Sequence, residues 1–260
     1  MNVNVFQHFR KDEHPFVELT NDWIVKAAEQ YMPVLTDYLD PRQAFIVKSL
    51  VGTHQDLKVE FDGGFEKAER VRAVIYPDYH QVSESDFDLT LLEINYPEKF
   101  AELSHGKILG TLMGTGLKRE YFGDIITDGS KWQFFIQTDK VNYVITQLDK
   151  VGRFPVSLTE VPLTNLVHFK EEWSEEQLTV SSLRLDTVIA SVFKISRQRA
   201  KVLVEGNKVK VNWAETTKLD FMLEDLDVIS IRGFGRIQVR RILGRTKKDK
   251  LRLEIGVLRK

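Results

Sequence analysis

The charge of this chain is sorted along its length, and that sorting limits how it can fold. From Ser181 to Lys260 there are 19 Lys and Arg against 9 Asp and Glu, while the preceding 180 residues hold 18 against 29. A formal net charge of −1 therefore joins a strongly basic segment to a strongly acidic one. Such asymmetry predicts separately folded bodies, the last of them suited to a polyanion. A basic solubilising tail is the plainer reading of the charge taken alone. With 260 residues, 42% of them hydrophobic, there is material for more than one core.

Several classes are excluded early. The chain has no cysteine, which removes disulfides, zinc ribbons, thiol nucleophiles and iron–sulfur clusters, and suits the reducing cytoplasm. There is no run of ~18 apolar residues, and Met1–His8 lacks the basic-then-apolar pattern of a secretory signal. A cytoplasmic protein with no membrane partner is expected. The six histidines are scattered without metal-ligand spacing. Gly110, Gly114 and Gly116 are not followed by Gly-Lys-Ser/Thr, so no phosphate loop is read there; close helix packing explains Gly110 and Gly114 better. Asp86 and Asp88, like Glu171 and Glu172, read as solvated or edge charges. No cofactor is expected.

Periodicity divides the chain into an α+β series. Glu13–Tyr31 is predicted helical, with Phe16, Leu19, Trp23 and Ala27 near helical spacing and Val17, Ile24 and Ala28 widening the stripe. Pro41 suits the first position of a second helix. Strands are predicted at Leu57–Phe61 and Arg70–Tyr76, defining an amino-terminal helical and hairpin subdomain over 1–80. Over 81–165 the order is a strand at Leu89–Ile94, a glycine-broken helix from Pro97 to about Leu117, a hairpin across Asp128-Gly129, a helix at Val141–Val151 and a strand at Val156–Val161. That β-α-β-β-α-β order predicts a ferredoxin-like, RRM-like domain. The polar, acidic stretch within 166–180 reads as a linker.

The last domain, 181–260, carries the most specific pattern. Ser182 is a plausible N-cap for a helix with Leu185, Val188, Ile189 and Val192 on one face. Ser196 is placed to cap a second helix that Gly206 ends, with Ala200, Leu203 and Val204 inward. Arg197 and Lys201, four apart, share an exposed stripe. Cations in first turns oppose the helix dipole by a few tenths (~0.3) of a kcal/mol, a placement that a docked phosphate would justify. Lys208-Val209-Lys210-Val211 then alternates as a strand, with both lysines on one side. Paired lysines also protect strand edges. Together with Arg199, these residues predict one basic concave surface for a nucleic-acid backbone.

Arg184-Leu185-Asp186, Ser196-Arg197 with Ala200, Gly206, Val209, Val211-Asn212 and Asp227–Gly233 together resemble the S-four-type RNA-binding domain. Two departures stand out: Trp213 where a glycine usually follows Asn212, and Leu226 where Gly usually precedes Asp227. The whole chain is similar to the YlmH family of bacterial proteins, through the segment His105–Glu120, Val211-Asn212-Trp213 and Arg232-Gly233-Phe234-Gly235-Arg236. The resemblance implies a non-enzymatic factor binding ribosomal RNA or peptidyl-tRNA on the large ribosomal subunit. Its setting would be ribosome-associated quality control of stalled nascent chains, with a genomic link to cell division. A monomer is expected.

The chemistry assigns Arg184, Arg197, Arg199, Lys201, Lys208 and Lys210 to phosphates, and Ser196 to the helix start where a phosphate would dock. Asn212 would reach a ribose or a base edge. Arg232 and Arg236 flank a loop where Phe234 either stacks on a base or packs beneath it. Lys107, Lys118 and Arg119 form a possible second RNA contact. The basic residues from Arg240 to Arg252 extend the positive field on a closing hairpin. Two other readings remain: an RNA-modifying enzyme, since Arg184-Leu185-Asp186 also begins the catalytic loop of pseudouridine synthases, and a cell-division accessory protein. The residues around Asp186 do not continue the synthase pattern.

Overall fold

In a computed structural model the chain forms two compact units, Met1–Lys170 and Glu171–Lys260. The structure describes residues 9–98, 101–168 and 173–259; the amino-terminal stretch read above, part of the helix expected after Pro97, part of the expected linker, and Glu171 and Glu172 lie outside them.

The first unit begins with α1 (His14–Gln30), whose inward row is Val17, Thr20, Ile24 and Ala27. Leu19, expected on that face, is 45% exposed; the row is set by Val17 and Ile24, seven residues and two turns apart. The buried hydroxyl of Thr20 donates to the Phe16 carbonyl at 2.8 Å. After β1 (Val34–Leu35) comes α2 (Pro41–Val51), with Pro41 at its first position. Asp40 accepts from the Gln43 amide at 2.8 Å while the Gln43 side chain accepts from the Asp40 amide at 3.0 Å, a reciprocal cap. β2 (Leu57–Asp62) and β3 (Arg72–Pro77) complete an antiparallel sheet of order β1-β3-β2.

The same unit continues through β4 (Leu89–Asn95), α3 (His105–Gly114), β5 (Phe122–Thr127), β6 (Trp132–Gln137), α4 (Val141–Gln147), the short β7 (Lys150–Val151) and β8 (Phe154–Pro155), and β9 (Ser157–Val161). The antiparallel sheet has order β5-β6-β4-β9, the strand order of a ferredoxin-like split βαβ. Asp128 accepts from the Ser130 and Lys131 amides, both at 2.9 Å, and fixes the β5–β6 turn with Gly129 at φ 102. The helix expected to Val151 stops at Gln147, because Leu148 turns extended and a hairpin through Gly152 follows. Val141 and Val144 are the helix's buried residues, while Ile145 is 38% exposed.

Both faces of this sheet are covered. Leu92, Ile94, Phe134 and Ile136 pack with Ile108 and Leu112 of α3 and with Val141 and Val144 of α4. On the other face Leu91, Ile126 and Phe135 meet Tyr38, Phe65, Leu166 and Val167. Phe65 stacks on Phe135 with centroids 5.7 Å apart. Gly64 passes so close that a Cβ there would lie 2.0 Å from the Phe135 ring, at a φ of 89°. Buried arginines join the two parts: Arg70 donates to the Phe122 carbonyl at 3.0 Å and the Tyr38 carbonyl at 2.9 Å. Arg72 donates to the carbonyls of Thr36, Phe87 and Asp88. The Asp124 carboxylate accepts from the Glu69 amide at 2.6 Å and the Arg70 amide at 3.3 Å.

The second unit is an antiparallel sheet of order β10-β15-β14-β13-β11-β12. Its strands are β10 (Ser174–Val180), β11 (Val209–Val211), β12 (Ala214–Glu215), β13 (Val228–Ile231), β14 (Gly235–Arg245) and β15 (Leu251–Arg259), with helices α5 (Leu185–Val192) and α6 (Arg197–Glu205) between β10 and β11. Part of the stretch expected as linker is therefore structure: Ser174–Val180 pairs with Val257–Leu251. An edge strand needs no apolar alternation on its solvated side, so its polar sequence hid it. The helices bury Leu185, Val188, Ile189, Ala200, Leu203 and Val204 against Val209, Val211, Ile229, Ile237 and Ile255.

Candidate nucleic-acid interface

α5 begins at Leu185 with Arg184 as its boundary residue. The expected cap Ser182 bonds instead to the Thr187 hydroxyl at 3.2 Å. Ser196 does cap α6, accepting from the Arg199 amide at 3.1 Å, worth ~1 kcal/mol. These two helix starts bring Arg184 and Arg197 to one carboxylate. Asp186 accepts from Arg184 Nε at 3.2 Å and Nη2 at 3.3 Å, and from Arg197 Nη2 at 2.7 Å. Burial alone would raise the Asp186 carboxyl, but the bonds from the two arginines outweigh it and hold the group below its usual range. Two cations on one carboxylate leave a net positive charge. Both planar forks are pre-oriented, so less side-chain freedom is lost when an anion binds.

Arg199 lies over the Phe234 ring at 5.5 Å, and Phe234 packs on Phe193 with centroids 5.3 Å apart. Phe234 is thus a half-buried aromatic under the loop, capped by a cation. Gly235 in that loop is required: at φ 127 a Cβ would lie 1.9 Å from the Leu258 carbonyl oxygen. Lys208 and Arg232 are neighbours, the Arg232 amide donating to the Lys208 carbonyl at 2.8 Å. Lys201 pairs with Glu205 at 3.6 Å, one turn along α6.

The single concave surface expected from sequence does not form. Val209 and Val211 face the helices, so alternation puts Lys208 and Lys210 on the opposite side of the sheet from α6. Lys210 pairs there with Glu215 at 3.6 Å, and Arg236 covers the Trp173 ring at 5.3 Å. The structure therefore holds Arg184 and Arg197 together on Asp186, with Lys201 one turn along from Arg197, turns Arg199 to Phe234, sets Lys208 and Arg232 at the sheet end, and places Lys210 and Arg236 on the open sheet face.

Asn212 is not available to RNA as expected. Its amide donates to Asp227 at 2.8 Å and accepts from the Val228 amide at 2.9 Å. Asn212 and Trp213 both take positive φ, 46 and 65, in the two-residue β11–β12 turn, where Asn-Gly would be at ease. Leu226 likewise sits at φ 70. Asp227, fully buried, accepts from the Glu224 amide at 2.8 Å and closes this corner. Sequence reasoning missed Asp227 as a bracket and Trp173 as a partner of Arg236. Asp227 had a signal, its place in the usual Gly-Asp pair; Trp173 lay in the stretch read as linker.

The possible second contact also separates. Arg119 turns inward, donating to the Phe122 carbonyl at 2.6 Å and the Gly123 carbonyl at 3.2 Å. Burial, and then the neighbouring Arg70 charge, push it down to about 9. Lys107 sits in the first turn of α3 and Lys118 beyond its end, ~15 Å along the helix axis. The glycines of α3 do not serve close packing: a Cβ at Gly106, Gly110 or Gly114 would meet nothing within 4 Å.

Comparison with known proteins matches this architecture. Residues 12–80 match the family model described as "YlmH, N-terminal", 82–165 the "Putative RNA-binding domain in YlmH" and 183–229 the "S4 domain". The chain is 41% identical over 250 residues to "Ribosome-associated protein quality control protein P2" of Bacillus subtilis (strain 168), covering 96% of this chain and 97% of that one. The solved structure titled "Cell division protein ylmH from Streptococcus pneumoniae" is 40% identical with a TM-score of 0.53, covering 60% of this chain and 95% of that one. On its sequence, its α+β fold and its carboxy-terminal S4 domain, the chain belongs to the YlmH family.

Proposed function

We propose that this protein is a non-enzymatic RNA-binding factor that associates with the large ribosomal subunit, through ribosomal RNA, peptidyl-tRNA or both, during quality control of stalled nascent chains. The observation that carries the reading is the cationic rim of α5 and α6, where Asp186 holds Arg184 and Arg197 side by side at 2.7–3.3 Å. A positive rim at two helix starts suits phosphate oxygens. Asp186 itself is 5% exposed and bonded to both arginines, a poor setting for the nucleophile of a synthase. The Bacillus relative named for ribosome-associated quality control supports the setting. Among the described residues no helix is long and apolar enough to cross a membrane. The protein acts as a monomer in the cytoplasm.

Arg197→Glu with Lys201→Glu should abolish co-sedimentation with large subunits while the circular dichroism spectrum and melting cooperativity persist. A folded double variant that still co-sediments at wild-type stoichiometry would remove the rim from the interface. Mass spectrometry of ribosomal RNA from a deletion strain separates the enzymatic alternative, which requires a missing modification.

A further inference from the structure

The S4 match ends at residue 229, yet the sheet continues through the long β14–β15 hairpin. β13 pairs with β14 only as far as Gln238, opposite Val228. Beyond it the other side of β14 is held only by the Asp225–Asp227 corner, through Val239 and the Ile242 amide, and from there to Arg245 the strand pairs with β15 alone. The register shifts between Val239 and Arg241 and again between Ile242 and Gly244, bulges that increase the twist and swing the ribbon away from a flat sheet. The tip is ordered: the Thr246 amide donates to the Lys250 carbonyl at 2.6 Å, the Asp249 amide to the Thr246 carbonyl at 2.9 Å, and Asp249 takes φ 57. Lys247 and Lys248 occupy the two central positions of this turn.

Residues 240–252 hold seven cations and one carboxylate. Two of the cations are neutralised, Arg240 by Glu175 and Arg245 by Asp249 at 2.6 Å. Arg241, Lys247, Lys248, Lys250 and Arg252 are exposed, and among the described residues none has an ion-pair partner. Edge protection accounts for arginines along the free side of β14, but lysines in a turn protect no edge. At ~3.3 Å per residue, the tip lies about 30 Å along β14 from the Arg232–Phe234 loop. That exceeds the ~8 Å screening length at physiological salt several-fold. The tip therefore stands clear of the Arg232–Phe234 loop, while its foot at Leu251 pairs with Val180, four residues before Arg184 of the rim.

We propose that the tip of the β14–β15 hairpin is a second RNA-backbone contact, so that the carboxy-terminal unit holds RNA at two places on one rigid sheet. The tip offers lysine and arginine charge and has no aromatic side chain for base stacking, so it grips phosphates without reading sequence. Two contacts on one sheet raise affinity through effective concentration. This inference rests on the RNA-binding reading above, and the test separates the two.

The full chain, a tip variant (Lys247→Glu, Lys248→Glu, Lys250→Glu), the rim variant (Arg197→Glu, Lys201→Glu) and their combination would be titrated with transcribed large-subunit ribosomal RNA from 50 to 200 mM KCl. Vesicles of phosphatidylglycerol serve as a second anionic probe, and hydroxyl-radical footprinting as a second readout. Each phosphate contact contributes ~0.7–0.9 to the log–log salt slope. The tip variant should lower the slope by about 2 and remove protections that the rim variant retains. The combined variant should lose the sum, as expected of distant sites. An unchanged slope and footprint in the tip variant, with loss in the rim variant, would overturn the second contact and leave the RNA-binding reading intact. No loss in either variant would overturn both. An equal loss of binding to the vesicles would show general anion adhesion and overturn the proposal.

Discussion

Arginine plays opposite parts in the two units. In the first, Arg42, Arg70 and Arg72 are 4–6% exposed and spend their donors on Glu13 and on backbone carbonyls. In the second, Arg197 is 53% exposed while bonded to Asp186, and Arg241 and Arg252 face solvent with no ion pair among the described residues. One residue type thus serves as internal scaffold in the acidic unit and as outward charge in the basic one. Counting cations locates a polyanion site only where the guanidinium has no carbonyls to satisfy. Arg119, counted from sequence as an RNA contact, shows the error.

The largest effect should come from removing an internal arginine. Arg70→Met leaves the Tyr38 carbonyl without its arginine and the Phe122 carbonyl with Arg119 alone, and should cost about 2–3 kcal/mol, the upper range for an unsatisfied buried acceptor, read as a lower denaturant midpoint. RNA affinity per folded molecule should be unchanged. A loss of affinity in the folded fraction would break the division of labour between the units.

The next test uses pH, because Asp124 and Asp186 shift in opposite directions. Burial lifts Asp124 to about 7, so the native state holds that proton where the unfolded chain has released it. Its contribution to stability is full below about pH 4 and drains as pH rises through 7. Asp186 is depressed by its arginines, so its contribution is present at neutral pH and lost on acidification. Region-resolved hydrogen exchange should show the first unit losing protection from pH 5.5 to 8 while the second does not. Asp124→Asn should flatten the profile of the first unit; an unaltered profile would place the titrating group elsewhere.

Smaller still, Arg197→Ala should change stability by under ~1 kcal/mol, since Arg184 remains on Asp186 and the pair is partly solvated. Its RNA affinity should fall about ten-fold, the ~1.5 kcal/mol of one charged hydrogen bond. At the low end stands Lys118→Glu. Lys118 is 69% exposed and 3.9 Å from Glu120, so stability should stay within ~0.5 kcal/mol and RNA binding should not change. A measurable loss of affinity would return the α3 region to the interface.

Where contacts are local, the sequence was readable. Ser196, Gly206 and the inward row Ala200, Leu203, Val204 follow from spacing within one helix, and the Asp128-Gly129 hairpin from two adjacent residues. The ferredoxin-like order was legible because each strand and helix kept its own period. What escaped depends on partners far along the chain. Arg70 bonds a carbonyl 52 residues away, and Asp124 an amide 55 residues away. Strand β10 meets β15 across more than seventy positions. The split of the lysines to the far side of the sheet follows from alternation, which the sequence did show, but the position of α6 relative to that sheet is tertiary information.

The covering of the middle sheet by Tyr38, Phe65, Leu166 and Val167 bears on how the protein can be dissected. A fragment cut at the boundary near residue 81 would uncover Leu91, Ile126 and Phe135 together, an oily plane that invites self-association. The first two family-model regions belong in one expression fragment, and poor behaviour of the middle region made alone would reflect where the chain was severed rather than what that region binds.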